Sequence, residues 1–215
     1  SSLVSVGFDR TDGVQEGMKF KQGDLFAKLG YEAGKQWNLQ ADYSLMKFLA
    51  DDPVYPKVYK NDPTGIYHQN VVRGSASVAA KNKYERTSGN LRAYYSYGNH
   101  HIQDPAAFHS VDDRMGLMIY QNMELWPEAS AAAGFDFDAY SGKIPLSGGK
   151  DHSQAPMATL KRKHIAEYSP YLTLTQSFMQ GRFSANAGVR MVNSNLFGTH
   201  WVPQAGITAS LGREW

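Results

Sequence analysis

The segment Trp37–Phe48, WNLQADYSLMKF, alternates without a break. Trp37, Leu39, Ala41, Tyr43 and Leu45 take the odd positions, and Asn38, Gln40, Asp42 and Ser44 the even ones. Side chains at i and i+2 share one face of a strand, so this spacing predicts a β-strand with one apolar and one polar face. The same period recurs down the chain. Leu25, Ala27, Leu29 and Tyr31 oppose Asp24, Lys28 and Glu32; Val72, Gly74, Ala76, Val78 and Ala80 oppose Arg73, Ser75, Ser77 and Lys81. Further on, Leu91, Ala93, Tyr95 and Tyr97 form one face, as do Met115, Leu117 and Ile119, and Ala131, Ala133, Phe135 and Phe137. Phe183, Ala185, Ala187, Val189 and Met191, then Trp201, Ala205, Ile207, Ala209 and Leu211, complete the set. With SSLVSVGFDR at the start and EYSPYLTLTQSF at 167–178, about ten strands are expected.

Alternation alone does not say what covers the apolar face. A soluble sandwich or solenoid buries it in a core, whereas a membrane barrel turns it to lipid and its polar face to a watery interior. Three features favour the barrel. The connections alternate: 33–36, 84–90, 126–129 and 179–182 are short, and 11–20, 49–66, 101–110 and 142–163 are long, with a shorter one near 194–199. The expected strands of about 10–14 residues exceed the usual 5–6 and fit a tilted crossing of the hydrocarbon, about 9–11 residues. Aromatic residues gather at strand ends: Tyr31, Trp37, Trp126, Phe178 and Phe183 by the short turns, and Phe48, Tyr97, Tyr140, Tyr168 and Trp201 by the long connections. The mean hydropathy of −0.48 is no objection, because a barrel wall averages to polar. Pro170 and Pro203 fall inside expected strands, and each is expected near the long-connection end, where a strand start or bulge absorbs it.

Composition removes other classes. With no cysteine there is no disulfide framework, thiol nucleophile or thiolate metal site. No apolar run reaches the roughly 18 residues of a spanning helix. Scattered charges summing to +2 give no nucleic-acid groove. The start, SSLVSVGFDR, does not read as a signal peptide.

On these residues the chain resembles the barrel of TonB-dependent outer-membrane receptors, in a Bacteroidota-like style. The likeness runs through GDLFAKLGYEAGKQWNLQADYSL, VVRGSASVAAKNKYERTSGNLRAYYSYGNH and DDRMGLMIYQNMELWPEASAAAGFDF, and on to EYSPYLTLTQSF, RFSANAGVRM and HWVPQAGITASLG. The resemblance implies an antiparallel up-and-down transmembrane β-barrel of about 22 strands with a plug inside it. Nothing in residues 1–215 resembles the plug or a TonB-contacting box, so the chain is expected to be an internal segment of the barrel. Trp215 gives the chain an aromatic end, but Arg213 stands two positions before it on the same face, where a lipid-facing last strand would want an apolar residue. The resemblance further implies an outer-membrane location in a Gram-negative cell and TonB-driven uptake of a scarce nutrient. Siderophore, haem, cobalamin and small glycan remain equal candidates. The implied partners are outer-membrane lipid and lipopolysaccharide, the receptor's own plug, TonB through a part outside this chain, a small-molecule ligand and a surface lipoprotein; no cofactor and no resident metal are implied.

Two groups of candidate site residues follow. All seven histidines fall in or beside the longer connections. The ligand-binding candidates are Tyr55, Tyr59, Tyr67 and His68 in DDPVYPKVYKNDPTGIYHQN, with His100, His101, His109 and His152. Imidazoles and tyrosines there suit a metal chelate, haem or a planar ligand, and equally a self-packed surface loop. The run Lys161-Arg162-Lys163 suits lipopolysaccharide phosphates or plain solvation. The second group is the polar face: Asn38, Gln40, Asp42, Arg73, Arg92, Arg114, Asp136 and Arg190, expected to face the lumen and a plug, together with Asp138 and Asn186.

An alternative reading is a self-contained ten-stranded barrel, structural and porin-like or an omptin-like protease using rim aspartates and histidine as general base. Asp51-Asp52, Asp112-Asp113 and Asp151-His152 invite it. Neighbouring residues on a strand point to opposite faces, however, so these are poor catalytic pairs. No Gly-x-Ser-x-Gly elbow or phosphate loop is present. A soluble β interaction module is the third reading.

Overall fold

The structure is a computed structural model describing residues 1–14, 17–53, 66–103, 108–144 and 160–210, with backbone alone at Pro53, Ile66, Tyr67, Gln103 and Leu160. Ten strands run in chain order: β1 (Ser2–Thr11), β2 (Phe20–Ala33), β3 (Trp37–Pro53), β4 (Ile66–Lys83), β5 (Thr87–Gln103), β6 (His109–Trp126), β7 (Ala129–Ile144), β8 (Leu160–Phe178), β9 (Phe183–Ser194) and β10 (Gly198–Ala209). Each pairs antiparallel with its sequence neighbours in one ten-stranded up-and-down sheet. Among the described residues there is no helix and no second layer.

That single layer disposes of the sandwich reading. A globular chain of 23.9 kDa exposes roughly 10,000 Å², whereas this one exposes 15490 Å². Among the described residues the buried hydrophobics are Val71 and Ala129. The apolar face therefore has no protein core to enter. Leu45 on β3 registers with Leu25 and Gly74, and Ile119 on β6 with Leu91 and Phe135, so apolar residues form continuous rows across the strands. This is the open face.

The register also sets the height of the apolar band. At the short-turn end Trp37 donates Nε1–H to the Tyr84 hydroxyl (3.0 Å), and Trp126 donates Nε1–H to Gln176 Oε1 (2.9 Å). Tryptophans with an apolar body and a satisfied N–H suit a boundary between an apolar and a wet layer. At the other end the same face turns polar beyond Tyr97: Asn99 and His101 follow on β5, and Asp113, Ser141 and His164 form one row across β6, β7 and β8. Two of the expected end aromatics are on the opposite face. Phe48 pairs with Gln22 in register and packs its ring 5.8 Å from Phe20, and Tyr140 lies beside Arg114.

The strands overrun that band, which corrects the expected loop boundaries. The stretches 49–53, 66–68, 101–103 and 160–163 continue the ladder. Beyond the band the apolar–polar alternation stops while the backbone pairing goes on, so the strand continues without the pattern. Pro170 is likewise not near a strand end but well inside β8. The β8–β9 ladder passes from Tyr168↔Asn193 to Tyr171↔Arg190 around it, while the β7 side remains paired at Phe135↔Pro170. Pro203 is also not near a strand end: it lies midway along β10, paired with Val189 of β9.

Candidate functional site

The eight polar-face candidates, Asn38, Gln40, Asp42, Arg73, Arg92, Arg114, Asp136 and Arg190, fall on one face of the sheet by register. Their charges are braced into a continuous wall. On β3–β5, Arg92 donates Nη2–H to Ser77 Oγ (3.2 Å), Ser77 donates to Asp42 Oδ2 (3.2 Å), and Gln40 Nε2–H closes on the same carboxylate (2.8 Å). Asn38 pairs with Lys81 in register nearer the short turns.

Toward β7 the wall is organised by two acids two residues apart. Arg114 on β6 reaches Asp138 through Nε (3.0 Å) and Nη2 (2.7 Å), and Arg190 on β9 reaches Asp136 (2.8 Å) across the whole of β8. Two carboxylates on one strand face would repel; a guanidinium arriving from each side removes that cost. Both arginines also lie over tyrosine rings. The Arg114 guanidinium carbon is 5.3 Å from the Tyr94 centroid and 4.7 Å from that of Tyr140, and Arg190 is 5.5 Å from Tyr171.

Adjacent strands are about 4.8 Å apart, so contacts over two strands must cross the one between. Glycine at the crossing opens the way for three of them. Arg73 on β4 meets Asp112 on β6 (3.4 Å) over Gly98 of β5, and Tyr94 on β5 donates its hydroxyl to Asp138 on β7 over Gly116 of β6. Gln204 on β10 reaches Thr173 on β8 (2.7 Å) over Gly188 of β9. A Cβ on Gly116 would lie 2.3 Å from the Tyr94 ring, and one on Gly134 equally close to that of Tyr171. The sequence reading missed these tyrosines and glycines as parts of the wall. Their signal was present as Tyr or Asp at polar-face positions flanking a glycine one strand away, but it is visible only once register is known.

The ligand-binding candidates are scattered by comparison. Tyr55, Tyr59 and His152 lie outside the described residues, and Tyr67 is a β4 residue described by its backbone. His68 is hydrogen-bonded through Nδ1 to Asp51 Oδ1 (2.7 Å) at the long-connection end, on the face of the apolar band. His101 and His109 share that face, their ring centroids 5.3 Å apart, while His100 lies on the polar wall with its ring edge-on to Phe108. Arg162 of the basic run bonds Asp113 and Ser141. The Asp112-Asp113 pair is split as its spacing predicts: Asp112 faces Arg73 on the polar wall and Asp113 faces Arg162 on the other side, so they form no carboxylate dyad; Asp151-His152 lies outside the described residues. Among the described residues no group of three or more His, Asp or Glu side chains is arranged to hold a metal.

No protein-family model matches the chain, and no curated protein matches it in sequence. In structure the chain is similar to the siderophore receptor PirA from Pseudomonas aeruginosa, with a TM-score of 0.70 at 10% identity over 99% of this chain. The chain spans 34% of that receptor's length. The fold is accordingly all-β, antiparallel and up-and-down, of the receptor-barrel type.

Proposed function

We infer that this chain forms part of the wall of a TonB-dependent outer-membrane receptor, a transporter that takes up a scarce small nutrient. The observation that carries the reading is the single-layer sheet itself. It has an exposed apolar face banded by aromatics, a braced polar face, and the fold of a siderophore receptor barrel. In lipid, every backbone group needs an internal partner, so a spanning sheet must close. Here β1 and β10 each have one neighbour among the described residues, and both are apolar and open: Val6 is 76% and Ile207 84% exposed. Such edges call for further strands on either side, which favours an arc of a larger barrel over a ten-stranded closure.

In this reading Leu45 and Ile119 face lipid. The Arg114–Asp138 and Arg190–Asp136 pairs face the lumen, where a plug domain rests against them. The long-connection side meets the outside, and a siderophore, haem or cobalamin is captured there. Energy comes from TonB, acting through a plug. The wall's paired charges give a plug a polar surface to rest on without leaving those charges uncompensated.

The test is the size of the native polypeptide. Extracted from outer membranes and run unheated and heated, it is expected as a heat-modifiable species far above 23.9 kDa. Its uptake of the cognate nutrient should cease when TonB is removed. A heat-modifiable species at 23.9 kDa would replace this reading with the closed ten-stranded barrel.

A further inference from the structure

His101 on β5 and His109 on β6 are eight residues apart in sequence and directly opposite in register. The next pair outward, Ile102 and Phe108, is joined by an N–H···O bond of 2.8 Å from Ile102 to Phe108. Antiparallel pairs alternate, so His101 and His109 form a non-hydrogen-bonded pair, the closer kind, with Cα atoms about 4.5 Å apart. Their ring centroids are 5.3 Å apart and the rings are inclined at 55°. Two imidazoles held at about 2.0–2.1 Å by one tetrahedral ion place their ring centroids roughly 5 Å apart. The spacing already present is that of a chelating pair.

The neighbours complete the case. His109 Nε2 is 3.0 Å from Asn99 Oδ1, and as donor to that oxygen it fixes the Nε2–H tautomer and leaves Nδ1 with its lone pair free. An outer partner of this kind orients metal-binding histidines generally. His68, on the same face of β4, is committed through Nδ1 to Asp51, so it does not join the pair. Lys143 on β7 acts electrostatically on His109, and among the described residues no group of three or more His, Asp or Glu side chains gathers there. The described site offers two imidazole nitrogens, which suit borderline transition ions better than Ca²⁺ and Mg²⁺.

We propose that His101 and His109 form a two-imidazole site for a divalent transition ion such as Zn²⁺ or Ni²⁺, with water or an exogenous ligand completing its coordination. The ion clips β5 to β6 at the long-connection end, above the apolar band and on its face. Asn99 is a positioning residue for His109.

The test is titration of the full-length polypeptide carrying this sequence, stripped of metal and held in detergent, with Zn²⁺, Ni²⁺ and Mg²⁺ in turn. Saturable Zn²⁺ and Ni²⁺ uptake without Mg²⁺ uptake is expected. His101→Ala and His109→Ala should each weaken Zn²⁺ binding at least about tenfold, as should Asn99→Ala through the lost orientation. His200→Ala, at a histidine whose Nε2 bonds Phe197 O near the start of β10, should leave it unchanged. Unheated gel migration identifies the folded variants. Wild-type protein that takes up no Zn²⁺, or a folded His101→Ala/His109→Ala variant that titrates like wild type, would overturn the proposal.

Discussion

Tyr94 on β5 gives its hydroxyl hydrogen to Asp138 on β7, and the contact passes over Gly116, the β6 residue paired with both. The wall is thus tied across two strand spacings at a place where any side chain on the middle strand would intervene. A β-carbon at 116 would lie 2.3 Å from the Tyr94 ring. Gly116→Val is expected to lower stability by about 1–3 kcal/mol, the usual cost of forcing volume into a packed site. Tyr94→Phe, which keeps the ring and removes the hydrogen bond, should cost about 1 kcal/mol. Urea unfolding in lipid vesicles measures both, and a Gly116→Val variant as stable as the parent would show that the crossing is not tight.

Arg190 and Asp136 bond at 2.8 Å with 41% and 17% of their side chains exposed. A partly solvated pair of this kind has a coupling of about 1 kcal/mol, reduced by salt. A double-mutant cycle with Arg190→Ala and Asp136→Ala should recover that coupling, and the exchange Arg190→Asp with Asp136→Arg should restore part of what either single reversal loses. Strict additivity in the cycle would mean the pair contributes nothing to the wall.

The two faces should differ sharply in their tolerance of charge. Arginine at a lipid-facing position near the bilayer midplane costs about 2–4 kcal/mol. Leu45→Arg and Ile119→Arg are expected to pay it in vesicle refolding. Ser75→Arg and Ser96→Arg, on the polar wall, should cost well under half as much. Equal penalties on both faces would refute the assignment of the apolar face to lipid.

Trp37 and Trp126 should report the short-turn boundary. Both are exposed on the structure and both have hydrogen-bonded indoles. In single-tryptophan variants, quenchers placed near the lipid headgroups should quench either residue more strongly than quenchers deep in the acyl chains. Stronger quenching from the deep position would move the band.

What could be read from the sequence, and what could not, divides along the height of the sheet. Within the band, where Leu91, Ala93, Tyr95 and Tyr97 meet one medium and Arg92, Tyr94 and Ser96 another, alternation gave strand and face together. Above it, where the alternation stops, His68, His100, His101 and His109 were read as lying in or beside the longer connections, and all four lie in strands. The polar residues of the wall could be listed from their positions, but not their partners. Arg190 meets Asp136 54 positions away, and Tyr94 meets Asp138 44 away, distances in sequence that only register converts into contact. His101 and His109 were missed as a pair for the same reason: the eye stops at the adjacent His100-His101, which points to opposite faces.

The most direct test of the account is a cysteine scan of β6 from Met115 to Tyr120 in the lipid-reconstituted protein. The chain has no cysteine of its own, so each introduced thiol is unique within it. Spin labels at 115, 117 and 119 should be accessible to oxygen dissolved in the bilayer and shielded from a water-soluble relaxation agent. Labels at 118 and 120 should show the reverse, with a strict period of two; position 116, whose glycine admits the Tyr94–Asp138 contact, keeps its glycine. Accessibility that does not alternate, or that alternates with the faces exchanged, would contradict a wall with lipid on one side and water on the other.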